Sequence, residues 1–348
     1  MDPLTHALSG ALLVRAAEPV LPALQVLPLR TRLTVGMIAA VFPDIDVALR
    51  LVDTLTYLNW HQGPTHALVM LPLWAFLLAH VFSWGIRGSY SWQLFFMPSC
   101  LGIAIHIAGD SITSYGVMLL APFSTERFSV PLAFVVDPWL SAIIVLGLVV
   151  SRMLPQKKHI AGFALVCLSC YVVFLTLLYE RAKEMGLVYA QKMTLNQAII
   201  SVLPQPFSPF NWKIIVMEGE TYHILLVNLG RESWATLFDI GVLSRMAAVY
   251  QPMTSANWQQ LKQFGDFAAE SILAREVWHQ PVLADFRRFA VFPQLDRIDY
   301  SERGVCIWFY DLRFKFPLLP PSFRYAGCRE EEGTGWVLQR QQGTFWID

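Results

Sequence analysis

Charge is what this 348-residue chain has least of. Asp, Glu, Lys and Arg make up 15% of it against 55% hydrophobic residues, where ordinary soluble domains carry about 25% charged residues. That deficit points to a membrane before any window is inspected. The formal net charge is +0, so the basic face that nucleic-acid binding needs is missing and that class is excluded. No positive stretch precedes the first apolar residues after Met1-Asp2-Pro3, so a cleaved signal peptide is not expected. Five cysteines are present, but no Cys-x-x-Cys is accompanied by the histidines of a zinc finger. Cys100, Cys167 and Cys170 fall in apolar runs and read as packing residues.

The charges present are unevenly placed. Residues 1–180 hold nine basic and nine acidic residues, and residues 181–348 hold seventeen of each. The expected architecture is therefore an α-helical integral membrane domain, 1–180, followed by a water-exposed α+β domain, 181–348. A spanning helix needs about 20 mostly apolar residues. Four stretches qualify: 67–86, 93–109, 135–153 and 160–179. Residues 4–14 and 33–43 are too short to span alone and are expected as two short membrane helices buried against the others.

Sidedness follows from Lys and Arg in the short loops. With alternating helices, Arg15, Arg30, Arg32, Arg87, Arg152, Lys157 and Lys158 share one side, and Arg50 and Arg127 fall on the other. The first side is expected to be cytoplasmic. The last span then delivers residue 180 outward, which makes the C-terminal domain extracytoplasmic. In that domain 211–230 reads as a hairpin turning at Glu218-Gly219-Glu220, 304–314 as a strand, and 255–278 as helical. Cys306 and Cys328, outside the membrane, could pair.

Against this frame stand His6, Asp44, Asp46, His61, His66, His106 and Asp110. Charge counting places all seven at the extracytoplasmic ends of their segments, although none of them entered the count. Ionisable groups at a bilayer are costly and mark function by default. His106 and Asp110 are four apart, so on a helix they share one face. Imidazole with carboxylate suits a divalent metal, zinc first and manganese as the alternative, in a site of one or two ions. Asp110 could bridge two ions. One of Asp44 and Asp46 could ligate while the other serves as the base. The plainer readings are a buried polar network, or helix caps at Asp44 and Asp46. Asp53 and Asp137 read as structural. After Asp110, the hydroxyls of Ser114 and Tyr115 and the guanidinium of Arg127 suit an anionic head group; the plainer reading is a surface loop.

The stretches PLTHALSG (3–10), FPDID (42–46), HQGPTHAL (61–68) and HIAGDSITSYGVMLLAPFS (106–124) together resemble the YdjM-like family of predicted inner-membrane, metal-dependent hydrolases. The resemblance covers about the first 125 residues. It implies that the seven His and Asp residues are the candidate metal-site residues, and that the chain is an integral protein of the bacterial inner membrane. The family's usual third motif is His-Arg-Gly-x-Thr-His-Ser; here Gln62 and Ala67 stand in place of its Arg and Ser. The His-x-x-x-Asp element is also similar to that of the zinc phospholipase C and nuclease group.

Two functions are consistent with these residues. The first is a metal-dependent hydrolase at the outer membrane–water boundary acting on a lipid or other phosphoester, with membrane lipids as its surroundings. The second is non-enzymatic: a metal-binding or envelope-assembly protein, or a small transporter. Transport calls for polar residues at mid-membrane on several spans, and 135–153 and 160–179 carry almost none. A structural metal needs four ligands, fewer than the candidates present. The hydrolase is the favoured reading.

Overall fold

The computed structural model describes residues 1–17, 26–86, 89–154, 159–231, 248–255, 257–302, 304–330 and 335–341. Arg87, Lys157 and Lys158 of the loop-charge argument lie outside the described residues. The chain divides into two compact units, Met1–Tyr179 with Pro206–Pro209, and Glu180–Gln205 with Phe210–Asp348.

The first unit is helical. Helix α1 (Pro3–Ala16) starts where Asp2 accepts from the backbone of Leu4 and Thr5, with proline in the first turn, an arrangement that satisfies the free N–H groups of a helix start. Helix α2 (Leu29–Ala39) leads into a 3-10 segment, Phe42–Leu51. Helix α3 (Thr54–Trp60) is capped by Asp53, and a short 3-10 turn at Pro64–His66 precedes α4 (Met70–Gly85). Then come α5 (Gln93–Ser111), α6 (Pro138–Met153), capped by Asp137, and α7 (His159–Lys192). Asp53 and Asp137 thus hold the structural places expected of them.

Helices α1, α2 and α5 cross one another at glycine. A Cβ on Gly10 would stand 2.4 Å from the Gly36 carbonyl oxygen, and one on Gly102 would stand 2.6 Å from that same oxygen. Only a residue without a side chain allows so close an approach. The expected short N-terminal pair is therefore packed on α5. Beside it, Leu12 of α1, Leu140 and Ile144 of α6, and Ala164 and Leu175 of α7 form one apolar cluster.

Among the described residues, two helices, α5 and α7, are long and apolar enough to cross a membrane. Residues 54–66 and α4 form a bent pair, at 81°, that would make a third span. This differs from the four spans expected. The stretches 67–86 and 135–153 become helices of 16 residues each, about 24 Å long against a hydrocarbon core of about 30 Å. The His61–Val69 irregular backbone delays the start of α4, and Asp137-Pro138 fixes the start of α6.

The second unit is rich in sheet. Strands β1 (Ile199–Pro204), β2 (Asn211–Glu218), β3 (Thr221–Asn228) and β4 (Gln251–Pro252) lie in that order, and β5 (Gln259–Lys262) also pairs with β3. The β2–β3 hairpin closes with Glu218 opposite Thr221, and Gly219 takes a positive φ of 58° in the turn. A second sheet runs β6 (Pro293–Ser301), β7 (Gly304–Asp311), β8 (Tyr325–Glu330) and β9 (Val337–Arg340). Side chains from both sheets, among them Ile215, Tyr222, Phe292 and Tyr310, share one core. Cys306 and Cys328 face each other on β7 and β8 and are disulfide-bonded.

The helical reading of 255–278 is corrected. Residues 259–262 pair with β3, Gly265 takes a φ of +88°, and the helix, α8, runs only Ala268–Trp278. A short α9 (Ala284–Phe289) follows. The helical spacing of 268–278 stops at the glycine turn and does not reach the strand upstream of it.

Candidate metal centre

Four side chains converge at one end of the helical unit. Asp44 comes from the 3-10 segment after α2, His66 from the turn before α4, and His106 and Asp110 from successive turns of α5. One donor atom from each lies within 4.8 Å of all the others. His66 Nε2 and His106 Nε2 are 2.9 Å apart. Asp44 Oδ1 is 3.5 Å from the first and 3.7 Å from the second, and Asp110 Oδ2 is 3.4 and 3.3 Å from them. Four ligands placed tetrahedrally at about 2.0–2.1 Å from a zinc ion are separated by about 3.3–3.4 Å. The five separations bracket that value.

The hydrogen bonds around the group orient it inward. His106 Nδ1–H donates to the Ala40 carbonyl at 2.7 Å, which leaves a lone pair on Nε2. His66 Nδ1–H donates to Thr65 Oγ1 at 2.9 Å, and that hydroxyl donates to Asp46 Oδ2 at 3.3 Å. Partners of this kind on the far nitrogen fix the tautomer of a metal-ligating histidine. His66, His106 and Asp110 are fully buried. Asp110 Oδ2 accepts no hydrogen bond there. Two imidazole lone pairs and an unsatisfied carboxylate oxygen, all buried, repel one another unless a proton or a cation lies among them. The donor set therefore fits a divalent ion.

The other candidates lie around this group. His6 sits behind it: its Nε2–H donates to Asp110 Oδ1 at 3.1 Å and its ring stacks on His106 at 3.9 Å. The Met1 amino group hydrogen-bonds the same oxygen. His6 thus orients Asp110 rather than joining the four donors. Asp44, Asp46 and His61 form a second group of three. The carboxylate common to both groups is Asp44; Asp110, which could have bridged two ions, belongs to the first group alone. Asp44 stands on the irregular backbone between α2 and α3 and faces both groups; Asp110 is tied to His6 on its other side.

Asp46 accepts from His61 Nδ1 at 2.9 Å, Gln62 N at 3.0 Å and Thr65 Oγ1. Both its oxygens accept from the His61–His66 loop, and it is also one of the second group of three. The cap position of the 3-10 segment is Val41, not Asp44, which stands in its first turn. Asp44 and His61 are partly exposed, at 19% and 17% of their side chains, and both line a cavity of about 830 Å³ walled by Met37, Ile38, Phe42 and Ile45.

The residues expected to meet an anion behave differently. Arg127 donates to the carbonyls of His61 at 3.0 Å, Gly116 at 2.7 Å and Asn59 at 2.7 Å. Its guanidinium is a clamp on the loop that carries His61. The Tyr115 hydroxyl donates to the Leu58 carbonyl, and Ser114 is half-buried in the same loop. The Gln62–Met118 backbone bond ties this loop to the HQGPTHAL stretch.

A helical unit with apolar spans that buries a His₂Asp₂ group defines a membrane protein with a candidate metal centre. The chain belongs to the YdjM inner membrane protein family, whose model matches residues 1–182. It is also similar to a curated protein of Bacillus subtilis (strain 168), the uncharacterized protein YfhP, at 21% identity over 187 residues. That likeness covers 52% of this chain and 54% of the relative, so the chain spans about half the length of the curated relative it matches. No solved structure matches.

Proposed function

We propose that this protein is a membrane-bound, metal-dependent hydrolase acting on a lipid or other phosphoester at the outer membrane–water boundary. The observation that carries the reading is the position of Asp44. It belongs to the buried four-donor group, to the second group with Asp46 and His61, and to the wall of an open cavity. A closed structural site has no need of a ligand shared with an accessible wall.

A divalent ion held there, zinc first and manganese as the alternative, supplies Lewis-acid polarisation and lowers the pKa of water. The chain's own residues do the rest. His66, His106, Asp44 and Asp110 hold the ion, and His6 fixes the Asp110 carboxylate. Asp46 turns the His61 ring so that Nδ1 is occupied and Nε2 remains for a second ion or for a proton from the reacting group. Arg127 keeps the His61 loop in place.

The same proposal includes four crossings in the bacterial inner membrane, by α5 and α7 and by α4 and α6, whose length of about 24 Å is met by local thinning of the bilayer, with residues 181–348 extracytoplasmic. Arg15, Arg30, Arg32 and Arg152 support it: they lie at the helix ends away from the metal donors, as cytoplasmic residues do. The disulfide supports it too, because such bonds persist in oxidising compartments.

A second reading has one observation of its own. Four protein donors at tetrahedral separations are also what a structural ion takes, so the group could staple α2, α4 and α5 in a non-enzymatic envelope protein. The deciding experiment measures zinc and manganese in detergent-purified protein, then hydrolysis of lipid phosphoesters by wild type and His61→Ala. Bound metal with turnover that His61→Ala abolishes supports the hydrolase. Bound metal with no turnover on phospholipids or on simple phosphodiesters favours the staple. No metal after reconstitution removes both.

A further inference from the structure

Among its described lining residues, the cavity on which Asp44 and His61 open has one Lys or Arg side chain, Arg50. Its guanidinium lies 4.3 Å above the Tyr57 ring. Among the described residues no carboxylate stands within ion-pair distance of it, unlike Arg275, Arg297 and Arg313 of the second unit, which are all paired. The rest of the wall is almost wholly apolar: Met37, Ile38, Val41, Ile45 and Val47. Directly after Arg50, Leu51 and Val52 are 90% and 76% exposed.

Each part of this arrangement constrains the occupant. An exposed guanidinium that rests on Tyr57 with no carboxylate partner, beside a candidate metal centre, favours an anion with paired oxygens. A long aliphatic wall favours a hydrocarbon chain. Exposed leucine and valine beside an arginine, at the end of a unit with spanning helices, place the mouth at the level of lipid head groups. A small soluble anion would leave the apolar wall unused, and a neutral lipid would leave Arg50 unmatched.

We propose that this cavity binds an anionic amphiphile, with Arg50 holding the phosphate-type head group next to Asp44 and His61 and the α2 and 3-10 segment side chains holding the hydrocarbon chain. The proposal rests on the hydrolase reading for its biological meaning, but binding is separable from turnover. It moves the anion contact from Arg127, whose donors grip backbone carbonyls, to Arg50.

The test uses full-length protein in maltoside micelles and radiolabelled dodecylphosphonate, whose carbon–phosphorus bond resists hydrolysis. Binding is measured with zinc and after chelation, for wild type, Arg50→Gln, Arg50→Lys and Arg152→Gln. Arg152 lies in the last turn of α6, at the other end of the helices. Arg50→Gln is expected to weaken binding by about tenfold or more with and without zinc, Arg50→Lys less, and Arg152→Gln not at all. Methylphosphonate, which lacks the chain, is expected to compete at least about tenfold less well. Wild-type affinity in Arg50→Gln, equal loss in Arg152→Gln, equal competition by methylphosphonate, or no binding by wild type would each overturn the proposal. Failure of the hydrolase reading shows instead as absent metal or absent turnover while Arg50-dependent binding persists.

Discussion

His66 Nε2 and His106 Nε2 stand 2.9 Å apart, both rings buried, each with its other nitrogen donating to an oxygen. Two imidazoles that present lone pairs to each other have no stable arrangement alone. Either one holds a proton or both share a cation. Asp110 Oδ2, buried and without a hydrogen-bond donor, faces the same point. A divalent ion bound at this point would be coupled to the folding of this end of the bundle.

Removing a donor is expected to remove the ion. Purified wild type should carry about one equivalent or more of zinc or manganese, and His106→Ala and Asp110→Ala should carry almost none. His6→Ala leaves the four donors in place but frees Asp110 to turn, so affinity should fall about 10–100-fold without abolishing binding. Elemental analysis of the three variants after identical dialysis checks this. Equal metal loss in all three would return His6 to the ligand set.

Asp46→Asn separates holding from orienting. The four-donor group stays intact, while His61 loses the charged partner that fixes its ring. The expected result is near-normal metal content in the first group with turnover reduced about 10–100-fold. If metal content and turnover fell together, Asp46 would be a ligand and the division between the two groups would be wrong.

Much of this site was legible as a list and little of it as geometry. Seven His and Asp residues that the structure gathers at one end of the helical unit could be found because polar groups are scarce in this part of the chain, and because the His106–Asp110 spacing is a local property of a helix. Which carboxylate would be shared could not be found. Asp44 and Asp46 lie on a 3-10 segment whose side-chain directions follow from tertiary contacts rather than from a period. Arg127 was misleading for a related reason. A guanidinium in a loop looks the same in sequence whether it grips backbone carbonyls or awaits an anion. The glycines at 10, 36 and 102 carried a signal that hydropathy hides, since close helix crossings show only as small residues far apart in the chain. In the second unit, the β2–β3 hairpin was readable from its own turn, whereas β5 was masked by the helical spacing of the residues after it.

The disulfide should be visible chemically. The chain has five cysteines, of which Cys100, Cys167 and Cys170 are free. Alkylation of the denatured, unreduced protein should label three thiols, and labelling after reduction should add two. Protein retained in a reducing cytosol should instead show five from the start, which would contradict an extracytoplasmic second unit.

Lys213 gives the second unit a pH dependence. Its ammonium is buried on β2 and donates to the Leu312 carbonyl at 2.9 Å, and also to that of Lys315. Burial pulls its pKa down from 10.5 to about 7, with Asp311 opposing and Lys315 adding to the fall. Below about pH 7 both folded and unfolded states carry the proton, and the folded state bears the full cost of the buried charge. Between about pH 7 and 10.5 the unfolded state alone keeps it, so stability rises with pH across that window. Amide-exchange protection of residues 211–218, corrected for the intrinsic rate, should increase from pH 7 to 9. Lys213→Met should flatten the slope. A wild-type profile already flat would mean the charge is compensated in the fold.

Gly102→Ala should reach the metal through the backbone. A Cβ there would lie 2.6 Å from the Gly36 carbonyl oxygen and 2.9 Å from the Ala40 amide nitrogen. Both are backbone atoms, so the helices must move apart. Overpacking of this kind costs about 1–3 kcal/mol. The carbonyl of Ala40 is also what holds His106 Nδ1, so the shift that relieves the clash loosens a ligand. The expected result is a lower thermal midpoint together with weaker metal binding, by about tenfold or more. Gly162→Ala is the matched control: it is also helical, but nothing lies within 4 Å of its added Cβ, and helix propensity favours alanine there. If Gly102→Ala lowered the midpoint and left metal affinity unchanged, the Ala40 carbonyl would not be what positions His106.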